Sequence, residues 1–346
     1  MTRNTYDRFL LVGAAALTLS FSAALSTDAA LAHHPSGVTD SATGAGIITQ
    51  SANTLAAGQK VVSVTHEFTA LSRLSEVALI ESAMQDRDVH SLGKIQSATV
   101  GLFYGLTDFF TLGLAMPWVS RSEIFEGEEH DGEFEVEKLG TAEGVGDLTL
   151  TGQVRLYRNP ETGQAIALIG GIELPTGSTG DKDLEGNSFE AEFQPGSGAV
   201  DLQFGGSFTQ PIGPVTFDAS TLYVFANEGT QDVDLGDRFL YNASLSYRLF
   251  GEAQHHDEPG AQPHSHGPSL DVIVELNGEW SAKEVDSGVT DPDTGGNTLY
   301  LSPGLRAAGD GMAGFVSLGI PVSNNFNGTQ SEPDWRIVSG FSLSLP

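Results

Sequence analysis

The sequence predicts an all-β fold, a transmembrane antiparallel β-barrel of about 12 strands with long extracellular loops and short periplasmic turns. Three observations predict it. Apolar and polar residues alternate along most of the chain, the period of a strand with a different environment on each face. Most alternating segments exceed the ~5–6 residues of soluble strands and fit the ~9–11 that a tilted strand needs to cross a bilayer. The connections between them alternate long and short. Composition narrows the reading further. Among 346 residues, 42 are glycine and none is cysteine, and 45 acidic against 16 basic side chains give a formal net charge of −29. Zero cysteines exclude a disulfide scaffold, a Cys-ligated metal and a thiol nucleophile. The acidity excludes a nucleic-acid partner, which needs clustered Lys and Arg.

Taken in order, residues 1–32 read as a secretory signal peptide. Arg3 and Arg8 precede an apolar run from Phe9 to Leu25, and Ala30-Leu31-Ala32 offers a small-residue cleavage site. An uncleaved anchor is the alternative, but the run is short and mixed with Ser and Thr. Residues 33–58, rich in Gly, Ser, Thr and Ala, carry no strand pattern and form either a periplasmic arm or a plug in the lumen. The outer-membrane barrel occupies 59–346. Beyond the signal segment no run approaches the ~18 apolar residues of a spanning helix, and helical spacing is absent.

Strands are expected at about 60–73, 93–106, 109–122, 145–158, 165–175, 198–210, 214–227, 237–250, 269–283, 297–307, 313–322 and 334–345. The alternation is clear in 237–250, where Phe239, Tyr241, Ala243, Leu245, Tyr247 and Leu249 oppose Arg238, Asn242, Ser244, Ser246 and Arg248. It is as clear in 270–280, where Leu270, Val272, Val274, Leu276 and Trp280 oppose Asp271, Glu275, Asn277 and Glu279. Long connections fall at 74–92, 123–144, 176–197, 228–236, 284–296 and 323–333. Short ones fall at Thr107-Asp108, 159–164, around Gly213 and at 308–312, with 251–268 as one overlong turn. A soluble sandwich or lipocalin-like pocket would use the same alternation. Strand length argues against it, as do aromatics near strand ends, among them Phe109, Trp118, Tyr157, Phe225, Trp280 and Trp335, where an interfacial girdle needs them. The last strand keeps the alternation through Leu345 but ends in Pro346 rather than the aromatic residue common in barrels.

The stretch Gly144-Val145-Gly146-Asp147-Leu148-Thr149-Leu150 is followed by Gly171-Ile172-Glu173-Leu174-Pro175-Thr176-Gly177, then by Pro195-Gly196-Ser197-Gly198 with Asp201. This order resembles the MetA-pathway of phenol degradation family of outer-membrane transporters. The motifs cover about 60 residues, and the strand pattern covers the rest of the chain after the signal segment. The resemblance implies a barrel that helps small, often hydrophobic or aromatic compounds across the outer membrane. It supplies no binding residues. On physical grounds these glycines and Pro175 serve turns and bulges at strand ends.

On the polar strand faces lie Glu67, Asp147, Glu173, Asp201, Asp218, Asp271, Glu275 and Glu279, with Arg155, Arg238, Arg248, Arg306 and Arg336. Eight acids against five arginines would make a mildly cation-favouring lumen, while mutual pairing is the simpler role for charges inside a barrel. Between Glu123 and Glu143 nine acids face the single base Lys138. This segment reads as a solvated outer loop, or as one that attracts cations and meets lipopolysaccharide through bridging Ca²⁺. Asp291-Pro292-Asp293-Thr294-Gly295 resembles the start of a calcium loop, but Ser302 stands where the bidentate Glu belongs.

Six histidines are grouped: His33 and His34 open the exported chain, and His255, His256, His264 and His266 sit in the overlong turn, both on the periplasmic side by strand counting. Imidazoles bind Cu²⁺, Zn²⁺ and Ni²⁺, so these segments are the candidate metal site, the weaker alternative to a flexible loop without a ligand set. With cleavage after Ala32, His33 would offer its α-amine and ring together to Cu²⁺. His66 falls on the lipid face, and His90 and His130 read as lone loop residues. Apart from His66 no histidine falls in an expected strand and no G-x-S-x-G elbow occurs, which argues against a barrel hydrolase. The expected role is therefore non-enzymatic passage or binding of small solutes in the outer membrane, with no required cofactor. The partners are membrane lipid, lipopolysaccharide and the solute. The alternatives are a metal-linked barrel beside a periplasmic efflux or metal-handling partner, and a structural barrel.

Overall fold

A strand with hydrocarbon on one side has no water to satisfy its peptide groups, and this chain meets that demand by closing a sheet on itself. The computed structural model describes residues 46–251 and 267–345. The expected signal peptide, residues 33–45 with His33 and His34, residues 252–266 with His255, His256, His264 and His266, and Pro346 lie outside the described residues.

The strands are β1 (Lys60–Ser72), β2 (His90–Thr107), β3 (Phe110–His130), β4 (Glu133–Val145), β5 (Leu148–Arg158), β6 (Ala165–Leu174), β7 (Asp201–Ile212), β8 (Val215–Phe225), β9 (Val233–Asp234), β10 (Arg238–Phe250), β11 (Ser269–Ser281), β12 (Val285–Asp286), β13 (Val289–Thr290), β14 (Gly296–Gly309), β15 (Met312–Phe326) and β16 (Glu332–Leu345). All the ring pairings are antiparallel, in the order β2-β1-β16-β15-β14-β11-β10-β8-β7-β6-β5-β3, and β3 pairs with β2 to close the circle. That is the twelve-stranded antiparallel barrel the alternation predicts. The first and last strands seal it, Lys60 opposite Leu345 and Ser72 opposite Glu332. One position in the ring is shared. Phe110–Ala115 of β3 pair with β5, while Trp118–His130 pair with β4. The break between β4 and β5 falls at Gly146-Asp147, where the Gly146 amide still donates to Pro117 O (2.9 Å).

Within the barrel wall the strands of the ring turn their apolar faces outward. Val100, Leu102, Tyr104 and Leu106 of β2, Leu202 and Phe204 of β7, and Val316, Leu318 and Ile320 of β15 are all exposed. The interior is polar, with Thr149, Gln203, Thr209, Ser244, Asn277 and Ser302 all buried. An inside-out distribution of this kind is stable only in a bilayer. Aromatics cluster near the long-loop rim, where Phe68 stacks on Trp335 (4.9 Å) and Phe239 on Tyr241 (5.9 Å). No helix among the described residues is long and apolar enough to cross a membrane; the crossing is made by strands.

Three expectations need correction. The acidic segment 123–144 is not an open loop. The upper part of β3 and β4 form a hairpin beyond the barrel wall, turned by Asp131 (φ 53°) and Gly132 (φ 87°), the Asp-Gly pair with two positive φ values that a tight hairpin demands. The first long connection contains α1 (Glu76–Ala83), capped by Ser75 Oγ accepting from the Ala78 amide (3.1 Å). Eight residues give too short a window for helical spacing to show against the strand pattern. His90 and His130 are the first residue of β2 and the last of β3. Short strands β9, β12 and β13 form a separate sheet between two long connections.

The hairpin sets like charges opposite one another, Glu126 against Glu137 and Glu128 against Glu135. A hydrogen bond to Glu128, then burial and the nearby Glu185, Glu128 and Glu126 carboxylates, push Glu137 from 4.5 up to about 7. A raised acid favours the folded hairpin below about 4.5, and that contribution is lost as pH rises through about 7. Amide exchange across β4, corrected for intrinsic rate, should therefore accelerate over that window, and Glu137→Gln should flatten the step; an identical profile in both proteins would contradict it. The outward face gives a second expectation. Leu102→Arg near mid-belt should cost about 2–4 kcal/mol by urea unfolding in lipid vesicles, and Leu106→Arg beside the Thr107-Asp108 turn about 0–1.

Candidate functional site

The inward residues of the strands make one continuous polar wall, and the part of the N-terminal segment that is described, residues 46–58, runs inside it. Three apolar side chains seat this segment. Ile47 packs on Ile273 and Val338, Ala52 on Ala165 and Ala167, and Leu55 on Val61 and Phe103. Up to Ala57 its backbone is held by side chains of the wall and not by a ladder; the Gly58 amide then donates to Gly105 O (2.7 Å), where the pairing with β2 begins. Glu275 accepts from the Ile48 (3.1 Å) and Thr49 (2.8 Å) amides, Ser220 Oγ from Gln50 (3.1 Å), Thr209 Oγ1 from Ala52 (2.9 Å) and Thr111 Oγ1 from Leu55 (2.8 Å). Gln153 Nε2 donates to Ser51 O (2.7 Å) and Ser207 Oγ to the same carbonyl (3.1 Å). The anchoring residues come from β3, β5, β7, β8 and β11: Glu275, Ser220, Gln153 and Ser207 stand at mid-strand, while Thr209 and Thr111 lie toward the short turns. The segment thus runs down the inside of the barrel from mid-height, at Glu275 and Ser220, to the short-turn rim at Thr111 and Asp108.

Among the residues expected on polar faces, Asp147, Glu173, Asp201, Asp218, Asp271, Glu275, Glu279, Arg306 and Arg336 are buried, and Glu67, Arg155, Arg238 and Arg248 are half-buried. Several meet. Asp271 is bracketed by Arg248 (2.6 Å) and Arg306 (3.2 Å). Arg336 pairs with Glu67 (3.4 Å) and stacks over the Tyr300 ring (4.0 Å to the centroid). Arg238 lies within electrostatic reach of Glu173 and Glu279. Others do not join a charge pair: Arg155 donates to Asp108 O (2.6 Å) at the short-turn rim, and Asp218 accepts from Thr209 (2.5 Å). Buried polar atoms such as Asp218 Oδ2, Asn277 Oδ1 and Ser302 Oγ have no protein partner among the described residues.

Asp147 has a different task. Its carboxylate accepts from the Gly177 amide (2.7 Å), the Ser197 amide (2.7 Å) and Ser197 Oγ (2.8 Å). The Leu148 amide donates to Thr176 Oγ1 (2.9 Å) and the Gly196 amide to Ser178 O (2.8 Å). A Cβ on Gly177 would stand 2.7 Å from Gly196 Cα, and one on Gly196 would stand 2.8 Å from Gly177. The glycines and the aspartate of the motif order are thus one knot. It ties both ends of the long connection 175–200 to the break between β4 and β5. The middle of that connection folds over the long-loop mouth. There Arg121 donates to Phe193 O (3.0 Å) and Gln194 O (2.8 Å), and Phe189 and Phe193 pack with Ile124, Leu139 and Ala142. Sequence reasoning missed Arg121, although it falls in an expected strand on the same alternating face as the residues it did select. It also missed Thr111, Gln153, Thr209 and Ser220, because a neutral polar residue on an inner face carries no signal that it holds a second segment. Of the histidines, only His66, His90 and His130 are described.

A family model described as "Putative MetA-pathway of phenol degradation" matches residues 101–312. Among solved structures, an outer membrane channel from Pseudomonas putida F1 is 18% identical, with a TM-score of 0.55 over 85% of this chain and 97% of that one. LpxR from Salmonella typhimurium (12% identity, TM-score 0.40, 82% and 99% covered) and a FadL homologue from Pseudomonas aeruginosa (11%, 0.30, 83% and 90%) resemble it less. No curated protein matches the chain. At these identities the structural likeness concerns the fold.

The knot yields a direct test. Asp147→Ala leaves the Gly177 and Ser197 amides without their acceptor in a buried place, at about 1–3 kcal/mol for each such group. Trypsin cleavage after the exposed Lys182 should then accelerate by about tenfold or more, since about 1.4 kcal/mol of local stability is a factor of ten in the open population. Unchanged cleavage would show that the loop is held some other way.

Proposed function

The chain belongs to the MetA-pathway of phenol degradation family, and on that premise we propose that it is an outer-membrane channel for the passive passage of small solutes, hydrophobic and aromatic ones among them. The observation that carries this reading is segment 46–57, which crosses the lumen without belonging to any sheet. Eight strands enclose a space that side chains alone can fill, whereas sixteen leave an aqueous channel. Twelve lie between, and here part of the space is taken by a stretch of backbone held by side chains. Such hydrogen bonds are each worth about 0.5–1.5 kcal/mol net, somewhat more where Glu275 is the acceptor. The segment can therefore shift without a single ladder bond breaking.

The wall supports a preference as well. Asp271 and Glu67 are offset by arginines, while Glu173, Asp201 and Glu279 outnumber the nearby Arg238. This excess disfavours anions over neutral or cationic solutes. The description of the family, with phenol degradation in it, favours small aromatic solutes. The belt of exposed apolar residues suits an outer-membrane location reached by export, with the short turns on the periplasmic side. Many charges of the wall are engaged by one another, by backbone or by a neighbouring hydroxyl, an arrangement that suits binding and passage more than catalysis.

Planar-bilayer recording of the refolded chain tests the proposal. Discrete conductance steps that phenol reduces are expected, and steps several-fold larger are expected for a variant lacking residues 46–56. The double variant Thr209→Val, Glu275→Gln keeps the chain length and should shift conductance the same way. Silent membranes with all three proteins, each shown to be folded by its heat-modifiable gel mobility, would sink the proposal.

A further inference from the structure

We infer that the long-loop rim carries a site for a divalent first-row transition ion, for which Zn²⁺ is the natural probe, built on His90 with Asp88, Glu190 and Glu192. The His90 side chain is only 7% exposed and rests edge-on against Phe193 (centroids 5.0 Å, 76° between planes). Its two ring nitrogens have different surroundings. Nε2 is hydrogen-bonded to Glu126 Oε2 (3.0 Å) on the neighbouring strand, where His90 and Glu126 stand opposite in the β2–β3 ladder. Nδ1 faces Asp88 Oδ1 at 3.7 Å, Glu190 Oε2 at 3.7 Å and Glu192 Oε1 at 3.6 Å.

Those three distances carry the argument. They exceed hydrogen-bond length. A proton on Nδ1 shared with a carboxylate would draw one oxygen in to about 2.7–2.9 Å, and none is closer than 3.6 Å. An ion with nitrogen and oxygen ligands at about 2.0–2.2 Å in tetrahedral geometry holds its ligand atoms roughly 3.3–3.6 Å from one another, which the observed spacing approaches. The ligand atoms of Asp88, His90 and Glu190 all lie within 4.8 Å of one another. Glu126 completes the pattern, because an imidazole that ligates a metal usually donates its other N–H to a carboxylate, which fixes the tautomer and turns the lone pair toward the ion. Three carboxylates around that nitrogen make the place favourable for a cation. The donor set, one imidazole with carboxylates and no thiolate, suits zinc and its first-row neighbours better than the all-oxygen shells of Ca²⁺ or Mg²⁺.

The ligands come from the connection before β2, from β2 itself and from the 175–200 connection. A bound ion would fasten that connection to the barrel wall at a point distant from the Asp147 knot. The site lies at the opposite rim from Phe250 and Ser269, the ends of β10 and β11, and it does not depend on whether the barrel conducts.

Calorimetric titration of the refolded, detergent-solubilised full chain with Zn²⁺ provides the test, with Ca²⁺ as the competing ion. One tight site is expected in the full chain and in a variant lacking residues 252–266. His90→Gln should weaken that site by about a hundredfold or more, and Glu126→Gln by about 10–100-fold. Asp88→Asn, a change at an exposed side chain, should weaken it by about tenfold and serves as the control against a folding defect at His90, with heat-modifiable gel mobility reporting the folded barrel. Undiminished Zn²⁺ affinity in His90→Gln, loss of the tight site on removing 252–266, or displacement of Zn²⁺ by equimolar Ca²⁺ would each overturn the assignment. Conductance is not among the readouts, so a barrel that fails to conduct leaves the assignment standing.

Discussion

Every peptide group of a chain immersed in hydrocarbon has to find its partner within the protein, and the remaining features of this molecule follow from how that is achieved. Closure through the β2–β3 and β1–β16 ladders leaves no edge. Once the ring is closed, each strand has one face in lipid and one in the lumen, so the period-two alternation fixes which residues meet each medium. A slip of one residue in any ladder would bring the charged row into the lipid. Asp271 opposite Arg306 and Arg248 across β10, β11 and β14 shows that register and charge pairing are set together.

The same constraint explains why the interior is crowded with paired charge. A carboxylate facing a narrow lumen is only partly hydrated, and the cost is offset when an arginine on the next strand stands within reach. It also explains the one irregularity in the wall. Where β4 gives way to β5 the ladder breaks, and Asp147 turns its carboxylate to the amides of the long connection that returns over the mouth. An acid at this position satisfies donors that the ladder cannot reach, and glycines at 177 and 196 let the two passing backbones approach it. The turn residues of the family motif are therefore architecture: Asp147, Gly177, Gly196 and Ser197 hold a connection in place, while Glu173 and Asp201 of the same stretch belong to the lumen wall.

Much of this was legible in the sequence, and the reasons for the remainder are physical. The alternation of Leu270, Val272 and Val274 with Asp271 and Glu275 specifies both the strand and its inner face, so the barrel and the charged wall follow directly. The acidic hairpin was misread as a loop because nine like charges suggest solvation, although Asp131-Gly132 between alternating residues is a strong local turn signal. The α1 helix was missed because eight residues stabilised by one Ser75 cap and by packing of Leu79 leave no periodic trace. Residues 46–58 carry no pattern because their hydrogen bonds go to side chains far away in sequence, such as Glu275 at a separation of 226 residues from Thr49. His90 looked isolated for the same reason: Glu190 and Glu192 reach it only after the 175–200 connection has folded back.

The long-loop mouth and the lumen beneath it are closed by different chemistry, and the difference bears on which can open. At the long-loop mouth the closing connection is tied by the buried Asp147 carboxylate, by the Arg121 guanidinium and by a cluster of Phe189, Phe193, Ile124 and Leu139. Hydrogen bonds to charged groups contribute about 1.5–3 kcal/mol each, and the apolar cluster adds burial that cannot be given up one contact at a time. Inside the barrel, segment 46–57 is held mostly by Thr, Ser and Gln side chains, with neutral bonds near 1 kcal/mol and three small apolar pegs. Bonds of that size can be lost singly, and the polar atoms released have water or solute in the lumen as substitute partners. The weaker hold is thus on this segment, and among its few charged contacts, Glu275 at mid-barrel, Arg306 on Gly46 O and Asp108 on the Ala57 amide, Glu275 takes two of the backbone amides and is the contact on which that hold most depends.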